Sequence, residues 1–468
     1  MIGLFSTLDM AKRAMQAQMT AVEVAGQNIA NVNTAGYTRQ RAVLTFAPDV
    51  NTAIGPQGTG VNATSIQQVV NNLLDSQIQS NTSQLSYQQS RQSALQSLQD
   101  AFGDTVTSSG SASTSGSTAT TGLSQQINDF FSAIQSLAVT PNSVSARQSV
   151  IGAAQSLAST FNNVSSQFAT VKTGLNDTLG KDVDSANQYL AQIASLNSQI
   201  TIAQAAGGNA NDLVDQRRQA VNNLAGLTDI ATATDSQGQI SVAVNGQTLV
   251  SGGSQTDSLA TYDAGNGQML LKTATGGVNL TISQGAMAGV ISARDNELGT
   301  AQNQLDNLAA TIGGAVNNVQ AAFYDSTGNL GQAFFTGSTA ATLAVNPNLV
   351  SNPGLIAISA GSNGDNIGGN QLAQLATTVQ ASLGNQTISG YYASTLSGVG
   401  QALNDANTQV GNQQAVASML STQRGSVSGV NLDEEMTNML MFQRSYAASA
   451  ELLKTVDQLL QTTIQIKS

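Results

Sequence analysis

A few short stretches of the 468-residue chain hold residue types that could do chemistry. Asp433, Glu434 and Glu435 form the densest acidic cluster, and paired carboxylates can transfer protons as general acids and bases. The cluster begins the last predicted helix, with Asn431 as a candidate cap. We therefore expect its charges to stabilise the positive end of the helix dipole. The sequence favours a structural role for these carboxylates.

Two weaker motifs resemble binding sites. Asp325 and Asn329 look like a fragment of a calcium loop, but the regular oxygen spacing and the closing Glu are missing. Residues 58 to 60 (Gly-Thr-Gly), with Ala63, imitate a dinucleotide-binding turn. The segment after this motif is β-like, and it lacks the helix that would present amide groups to a pyrophosphate. Both motifs are predicted to be turns.

Composition excludes most other functional sites. The chain has no Cys, His or Trp, so thiol or imidazole catalysis, Cys or His metal ligation and disulfides are impossible. A net charge of −11 would repel nucleic acids and anionic membranes. No apolar run approaches the roughly 18 to 20 residues that span a bilayer, and the first residues lack a secretory signal pattern. We expect no cofactor, no metal, no enzymatic activity, and neither nucleic acid nor membrane as a partner.

Periodic apolar residues predict a long amphipathic helix at each end of the chain, with steps of three and four. The N-terminal stripe comprises Leu4, Leu8, Ala11, Met15, Val22, Ala25 and Ile29. The C-terminal stripe comprises Leu432, Met436, Met439, Tyr446, Ala450, Leu453, Leu460 and Ile464. A lone helix of about 27 residues cannot bury such a stripe by itself. Either these helices are ordinary core elements, or they pair with each other and then with neighbouring subunits.

Between these helices the pattern changes several times. Residues 30 to 40 (ANVNTAGYTRQ) are predicted to form a turn with Gly36 at positive φ, and residues 41 to 66 are predicted to be extended. A helix is expected from about Gln67 to Phe102. Residues 107 to 122 carry only small side chains, which predicts a flexible linker.

Further helical patterning runs from Leu123 to about Ile200, with a stop at Pro141 and a restart near Ser143. Gly174 and Gly180 are candidate positions for a bend or break. Alternating residues around the Asn245–Gly246 turn then predict a small antiparallel β domain. Because helical patterning returns afterwards, the β domain is predicted to be an insertion.

The two ends of the chain also carry a family resemblance. Residues 3 to 41 (GLFSTLDMAKRAMQAQMTAVEVAGQNIANVNTAGYTRQR) resemble the N-terminal signature of flagellar rod, hook and hook-associated proteins, with Ala35 where that group usually has Pro. Residues 431 to 464 (NLDEEMTNMLMFQRSYAASAELLKTVDQLLQTTI) are similar, nearly residue for residue, to the end of the flagellar hook-associated protein 1 family. Internal stretches agree in order, so the resemblance covers most of the chain. It is patchiest in the linker and the β insertion.

The resemblance implies a structural subunit that joins the flagellar hook to the filament by self-assembly through its terminal helices. The implied partners are further copies in a ring or helical assembly, the flagellar hook protein and the filament-side hook-associated protein. Export without a cleaved signal peptide, through the flagellar type III apparatus and with an export chaperone, would place the protein outside the cell. Left open are a filament-side junction protein or flagellin-like subunit and, from another class, a secreted helical adhesin or effector.

The expected assembly interface combines both stripes with the turn between them. It comprises Leu4, Leu8, Ala11, Met15, Val22, Ile29, Asn31, Asn33, Thr34, Gly36, Tyr37, Leu432, Met436, Met439, Phe442, Tyr446, Leu453, Leu460 and Ile464. The predicted fold is mainly α with an inserted small antiparallel β domain, and its terminal helices pair as a coiled coil in an elongated multi-domain rod. Residues 1–66 and 426–468 would form the axial coiled-coil domain, 67–228 and 286–425 the helical domain, and 229–285 the β domain.

Overall fold

The computed structural model describes residues 3–52, 55–103, 122–265, 267–361 and 365–467. Its α-helices are α1 (Leu4–Ala30), α2 (Asn72–Ala101), α3 (Leu123–Val139), α4 (Val144–Ala205), α5 (Asn211–Leu227), α6 (Gly285–Ser292), α7 (Gly299–Ala322), α8 (Pro347–Ser351), α9 (Ile367–Gln374), α10 (Ile388–Ser428) and α11 (Leu432–Lys467). A π-helical segment, Ala293–Leu298, joins α6 to α7. The predicted linker at residues 107 to 122 lies outside the described residues, apart from Gly122.

The strands are short and pair antiparallel. They are β1 (Gln40–Phe46), β2 (Val50–Thr52), β3 (Gly55–Gln57), β4 (Val61–Gln68), β5 (Ala231–Thr234), β6 (Ile240–Val244), β7 (Gln247–Ser251), β8 (Ser254–Gln255), β9 (Leu259–Asp263), β10 (Met269–Thr273), β11 (Asn279–Leu280), β12 (Phe335–Thr336) and β13 (Ala344–Val345). Long helices with small antiparallel sheets confirm the predicted fold class.

The two ends of the chain pack against each other. Helices α1 and α11 make the most extensive contact of any two elements in the described part of the chain. Asn28, near the end of α1, donates a hydrogen bond of 3.0 Å to Glu435, near the start of α11, so the helices run antiparallel. We refer to α1 and α11 together as the axial pair. Its formation agrees with the rule that each amphipathic helix needs a partner for its apolar face.

The buried face of α1 is shifted by one position along the sequence from the predicted stripe. Ala17, Ala21, Val24 and Asn28 are buried in steps of three and four, because small side chains let two helices approach closely. Of the predicted stripe, Ala11 and Ala25 are buried, Leu8, Met15, Val22 and Ile29 are half-buried, and Leu4 is exposed. Most of the larger apolar side chains of α1 are therefore only partly covered within one chain.

Helix α11 is divided in the same way. Glu435 and Val456 are buried against the rest of the chain. Of the predicted residues, Met439, Phe442, Leu453 and Leu460 are half-buried, whereas Leu432, Met436, Tyr446 and Ile464 are exposed. The α1–α11 contact thus covers only part of the apolar surface of α11.

A twisted hairpin follows α1 and packs beside it. Strands β1 and β4 pair from Gln40–Gln68 to Phe46–Val61, with a register shift at Val43/Leu44, which confirms the predicted extended segment. The Gly-Thr-Gly motif lies in the turn before β4. Gly60 has φ +105°, and a Cβ there would stand 2.8 Å from Cγ of Met10. Glycine therefore lets the hairpin approach α1 closely, and the motif is a turn, as predicted.

The body of the molecule is built on α4, which has 62 residues. Ser143 caps its N-terminus by accepting a hydrogen bond from Ala146 N at 3.2 Å, close to the predicted restart. The helix continues through Gly174 and Gly180 without a break, so the predicted interruption is wrong. Each glycine costs about 1 kcal/mol in a helix interior, and burial of the neighbouring Leu175 and Leu179 offsets that cost.

The β insertion consists of two antiparallel sheets that lie on α4. Their strand orders are β5-β6-β7-β8 and β11-β10-β9. Asn245 and Gly246 have φ values of 48° and 76°, as a two-residue hairpin turn requires. Asn197 of α4 anchors the first sheet with hydrogen bonds to the carbonyl oxygens of Ile240 at 2.8 Å and Gly252 at 2.7 Å. The predicted hairpin and insertion are confirmed.

One apolar core holds the body together. It extends from Ala94 of α2 to Ala406 of α10 and includes residues of both insertion sheets. Among the described residues, this core contains none of the buried side chains of α1 or α11. The axial pair is therefore attached to the body by other interactions. None of the described helices has an apolar stretch long enough to cross a membrane.

Candidate assembly interface and its neck

Polar residues from four parts of the chain meet where the axial pair joins the body. We define this region as the neck: residues 28 and 37–40, residues 68–75, residues 211–218 of α5, and residues 424–435 at the break between α10 and α11. Gly429 lies at that break, where a Cβ would stand 2.3 Å from the carbonyl oxygen of Gly425. The neck replaces a shared apolar core with hydrogen bonds and ion pairs.

The turn after α1 carries the chain into the neck. Asn31 Nδ2 donates to the Gln27 carbonyl oxygen at 3.0 Å, and Thr34 Oγ1 donates to Asn31 Oδ1 at 3.1 Å. Gly36 has φ +84°, as the sequence predicted, which turns the backbone toward β1. Asn33 is exposed on the same turn. These side chains fix the local turn.

Asn28 is the centre of the neck and is only 1% exposed. Its Nδ2 donates to the Gln40 carbonyl oxygen at 2.8 Å and to Glu435 Oε2 at 3.0 Å. Its Oδ1 accepts from Gln40 N and from the Tyr37 hydroxyl, both at 3.0 Å. All the hydrogen-bonding capacity of this amide is used, so one side chain ties α1, β1 and α11 together.

Arg39 links the N-terminal segment to the start of α11. Its Nε donates to Glu435 Oε1 at 2.7 Å, and its Nη2 donates to Glu434 Oε1 at 2.6 Å. Burial alone would lower the pKa of Arg39, but the hydrogen bonds and charges of Glu434 and Glu435 outweigh burial and raise it. Arg39 N also donates to the Ser428 carbonyl oxygen at 2.9 Å. A single residue thus contacts both sides of the α10–α11 break.

Helix α5 fastens the neck to the body. Asp215 accepts from Thr38 N at 3.0 Å and from Thr38 Oγ1 at 2.7 Å. Arg218 pairs with Asp215 and, at 3.2 Å, with Asp75 of α2. These carboxylates and the guanidinium form one network across three segments of the chain, and charge-assisted hydrogen bonds of this kind are the stronger ones in proteins.

Burial and nearby negative charge both raise the pKa of Tyr37. Burial raises its pKa to about 12, with further contributions from the carboxylates of Asp212, Asp215 and Glu435. The phenol is protonated and donates its hydrogen bond to Asn28 Oδ1.

The structure also places the other candidate chemical residues. Asn431 caps α11, as predicted, by accepting from Asp433 N at 3.0 Å. Asp325 Oδ1 accepts from Thr327 N at 2.7 Å and from Asn329 N at 3.1 Å, which is the predicted surface turn. No group of three or more acidic side chains among the described residues is placed to hold a metal ion.

Sequence reasoning missed the residues that build the neck. Asn28, Thr38, Arg39, Asp215 and Arg218 were not predicted to act together. A single sequence does not show which segments meet. The acidic cluster was predicted to act only on the helix dipole, but Glu434 and Glu435 also bind Arg39.

The axial pair carries a large apolar surface that this chain does not cover. We define the axial surface as the exposed large apolar residues of α1 and α11, namely Leu4, Phe5, Met19, Leu432, Met436, Leu440, Met441, Tyr446, Leu452, Leu459, Ile464 and Ile466. A concentration of exposed large apolar side chains on two helices indicates an interaction site. The predicted interface residues Leu4, Leu432, Met436, Tyr446 and Ile464 belong to it.

Comparisons with known proteins agree with this architecture. Residues 112–335 match the family model of the flagellar hook-associated protein FlgK helical domain. Residues 421–466 match that of the flagellar basal body rod FlgEFG protein C-terminal, and residues 8–38 match that of the flagella basal body rod protein. The outer two matches coincide with most of the axial pair, and the central match lies in the body.

Similar full-length proteins carry one name. The chain is 28% identical to flagellar hook-associated protein 1 of Bacillus subtilis, over 99% of this chain and 98% of that protein. It is 25% identical to the Escherichia coli protein of the same name, over 99% and 100% of the two chains. The flagellar hook junction protein FlgK from Burkholderia pseudomallei has a similar fold, with a TM-score of 0.65, 17% identity, and coverage of 75% of this chain and 100% of that chain. These matches span both ends and the body in one order, and the chain resembles the flagellar hook-associated protein 1 family over nearly its whole length.

Proposed function

We propose that this protein is a structural subunit of the bacterial flagellum that forms the hook–filament junction. The names of its relatives support this role, and one observation of the structure carries it. The axial pair folds within one chain, yet it leaves a row of large apolar side chains exposed along α1 and α11. Such a surface is stabilised when neighbouring subunits cover it.

The geometry suggests how the subunit would assemble. Head-to-tail contacts between copies close into a ring or continue as a helix. The axial surface would form the inner contacts with other copies, with the hook protein below and with the filament-side hook-associated protein above. The neck would hold each body at a defined angle to its axial pair. Low surface charge, with 9% charged residues, limits repulsion between closely packed copies.

The predicted interface belongs to this proposal with a division of roles. The exposed Leu4, Leu432, Met436, Tyr446 and Ile464 would contact neighbours directly. The half-buried residues would complete these contacts at the edges of the axial pair, namely Leu8, Met15, Val22, Ile29, Met439, Phe442, Leu453 and Leu460. The turn residues Asn31, Asn33, Thr34 and Gly36 lie beside the neck, Tyr37 lies in it, and together they would align it.

Several finer points rest on the family. Export through the flagellar type III apparatus, without a cleaved signal peptide and with a chaperone, would deliver the protein outside the cell. The proposed divisions are an axial domain of residues 1–66 and 426–468, a helical domain of 67–228 and 286–425, and a β domain of 229–285. We also propose that the protein is not an enzyme. In support of that, Glu434 and Glu435 of its densest acidic cluster are bound to Arg39.

A matched pair of variants tests the function. Leu459 and Ile464 on α11 are 53% and 67% exposed, while Val139 and Ile202 on the body are 80% and 68% exposed. The axial variant Leu459→Asp/Ile464→Asp and the body variant Val139→Asp/Ile202→Asp should each change the unfolding free energy by less than about 0.5 kcal/mol.

The two variants should differ in cells that lack the native protein. In electron micrographs, the body variant should restore filaments on hooks and the axial variant should leave bare hooks. Normal filament numbers with the axial variant would overturn the proposal. So would an equal defect in both variants, because the defect would then not come from the axial surface.

A further inference from the structure

Methionine is concentrated at the two ends of the chain. Ten methionines are present, and eight lie at the ends, namely Met1, Met10, Met15, Met19, Met419, Met436, Met439 and Met441. The long central region between them contains only Met269 and Met287. This distribution separates the axial helices and the last turns of α10 from the rest of the body.

Four of the end methionines are exposed, whereas Met10, Met15 and Met439 are half-buried. Met19, Met419, Met436 and Met441 are 54%, 60%, 55% and 52% exposed. Met287 in the body is 0% exposed, and Met269 is half-buried. An oxidant in solution would therefore reach the exposed thioethers of α1, α10 and α11 before that of Met287.

Composition makes these thioethers the main targets for mild oxidants. The chain has no Cys, Trp or His, and cysteine and methionine are the side chains that two-electron oxidants attack most readily. We propose that Met19, Met419, Met436 and Met441 are sites of oxidation to methionine sulfoxide, and that oxidation of the three on the axial surface, Met19, Met436 and Met441, weakens assembly. The second part of this inference rests on the proposed function.

The reaction is balanced with hydrogen peroxide as oxidant. The sulfur lone pair attacks one peroxide oxygen, an S–O bond forms, and the O–O bond breaks. Sulfur loses two electrons, the peroxide is reduced, and the departing oxygen leaves as water after proton transfer. The product is the sulfoxide of an otherwise unchanged side chain.

The product suits contact with water and opposes burial. A sulfoxide oxygen is a strong hydrogen-bond acceptor, and burying an unpaired polar group between subunits costs free energy. On the free chain the same groups face solvent, so the fold of the monomer tolerates them. Oxidation should therefore act on assembly more than on folding.

The experiment treats the full-length protein with hydrogen peroxide and locates sulfoxides by peptide mass spectrometry. Met19, Met419, Met436 and Met441 should oxidise at least about tenfold faster than buried Met287. Treated and untreated proteins are then sedimented with isolated hooks from cells that lack this protein. Oxidation should reduce the bound fraction at least about tenfold, and a methionine sulfoxide reductase should restore it.

A resistant variant provides the control. Met19→Leu/Met419→Leu/Met436→Leu/Met441→Leu keeps apolar side chains of similar volume, and peroxide should leave its hook binding at the level measured for the same variant before treatment. Equal oxidation rates at Met287 and the four exposed sites would overturn the first part of the inference. Full hook binding by oxidised wild type, or loss of binding by the oxidised variant, would overturn the second part. Failure of untreated wild type to bind hooks would instead overturn the proposed function.

Discussion

Replacing Arg39 by Ala should loosen the axial pair without unfolding the body. The side chains of Arg39 and Glu435 are 22% and 4% exposed, and their atoms approach to 2.7 Å. Removing the guanidinium leaves the Glu435 carboxylate buried, with Asn28 as its remaining side-chain donor. Breaking a fully buried ion pair costs about 3–5 kcal/mol.

The partial exposure of Arg39 reduces that cost, because water can reach the space that the side chain leaves. Glu434 is 53% exposed, and an ion pair at such a site contributes only about 0–1 kcal/mol. We therefore expect Arg39→Ala to destabilise the axial pair by about 2–3 kcal/mol. This corresponds to about 30- to 150-fold faster hydrogen exchange at those amides of α1 and α11 that exchange only when the two helices separate.

Hydrogen exchange measured by mass spectrometry can test both the size and the location of this effect. Exchange should accelerate in α1 and α11 and stay unchanged in α4, because the core of the body excludes the axial helices. Arg13→Ala is the control. Arg13 pairs with Asp9, and their side chains are 36% and 54% exposed, so this substitution should cost less than about 0.5 kcal/mol. The double variant Arg39→Met/Glu435→Gln should recover part of the loss, because no unpaired charge remains. Unchanged exchange in α1 and α11, or an equal change in α4, would refute the reasoning.

Two further predictions concern the β insertion. Asn197 is fully buried, and Asn197→Ala removes its hydrogen bonds to Ile240, Gly252 and Arg217. The substitution should therefore lower the unfolding free energy in urea by about 2–4 kcal/mol. Asn187→Ala, at a less buried site, should cost less, and a reversed order would contradict this explanation. Hydrogen bonds from Thr275 N, Gly276 N and Ser258 N lower the pKa of Asp257 from 3.8 to about 2. A lowered pKa stabilises the loop above pH 4, and the stabilisation is lost as pH falls toward 2. The amide resonances of residues 275 and 276 should titrate with a midpoint near pH 2, Asp257→Asn should abolish the transition, and a midpoint near 4 would refute the assignment.

Apolar periodicity predicted the axial helices because each one has a long stripe that steps by three and four. It did not identify which stripe is inside. Helix α1 has two adjacent stripes, one of mostly small side chains and one of larger side chains, and the one of small side chains is buried within the chain. Periodicity does not indicate whether small or large side chains lie on the buried face. The stripe of larger side chains was therefore predicted to be the buried one.

The β insertion was predictable for a local reason. Asn245 and Gly246 adopt positive φ readily, and they lie between strands with alternating apolar residues. The neck was not predictable in the same way, because Arg39 and Glu435 are far apart in sequence and interact through charge. Gly174 and Gly180 show the opposite error, since the local preference for a helix break is overcome by burial of the leucines beside them.

Antiparallel pairing of α1 with α11 joins residues 407 positions apart in the chain. The body, in contrast, is formed by the continuous segment between the two helices. Closing so long a loop carries a large entropic cost that contacts in the body must reduce beforehand. The body should therefore fold first. The axial pair should form only once the residues of α11 are available to pack against α1. A chain that ends prematurely could fold its body but could not present the axial surface, so only complete molecules would be competent to polymerise.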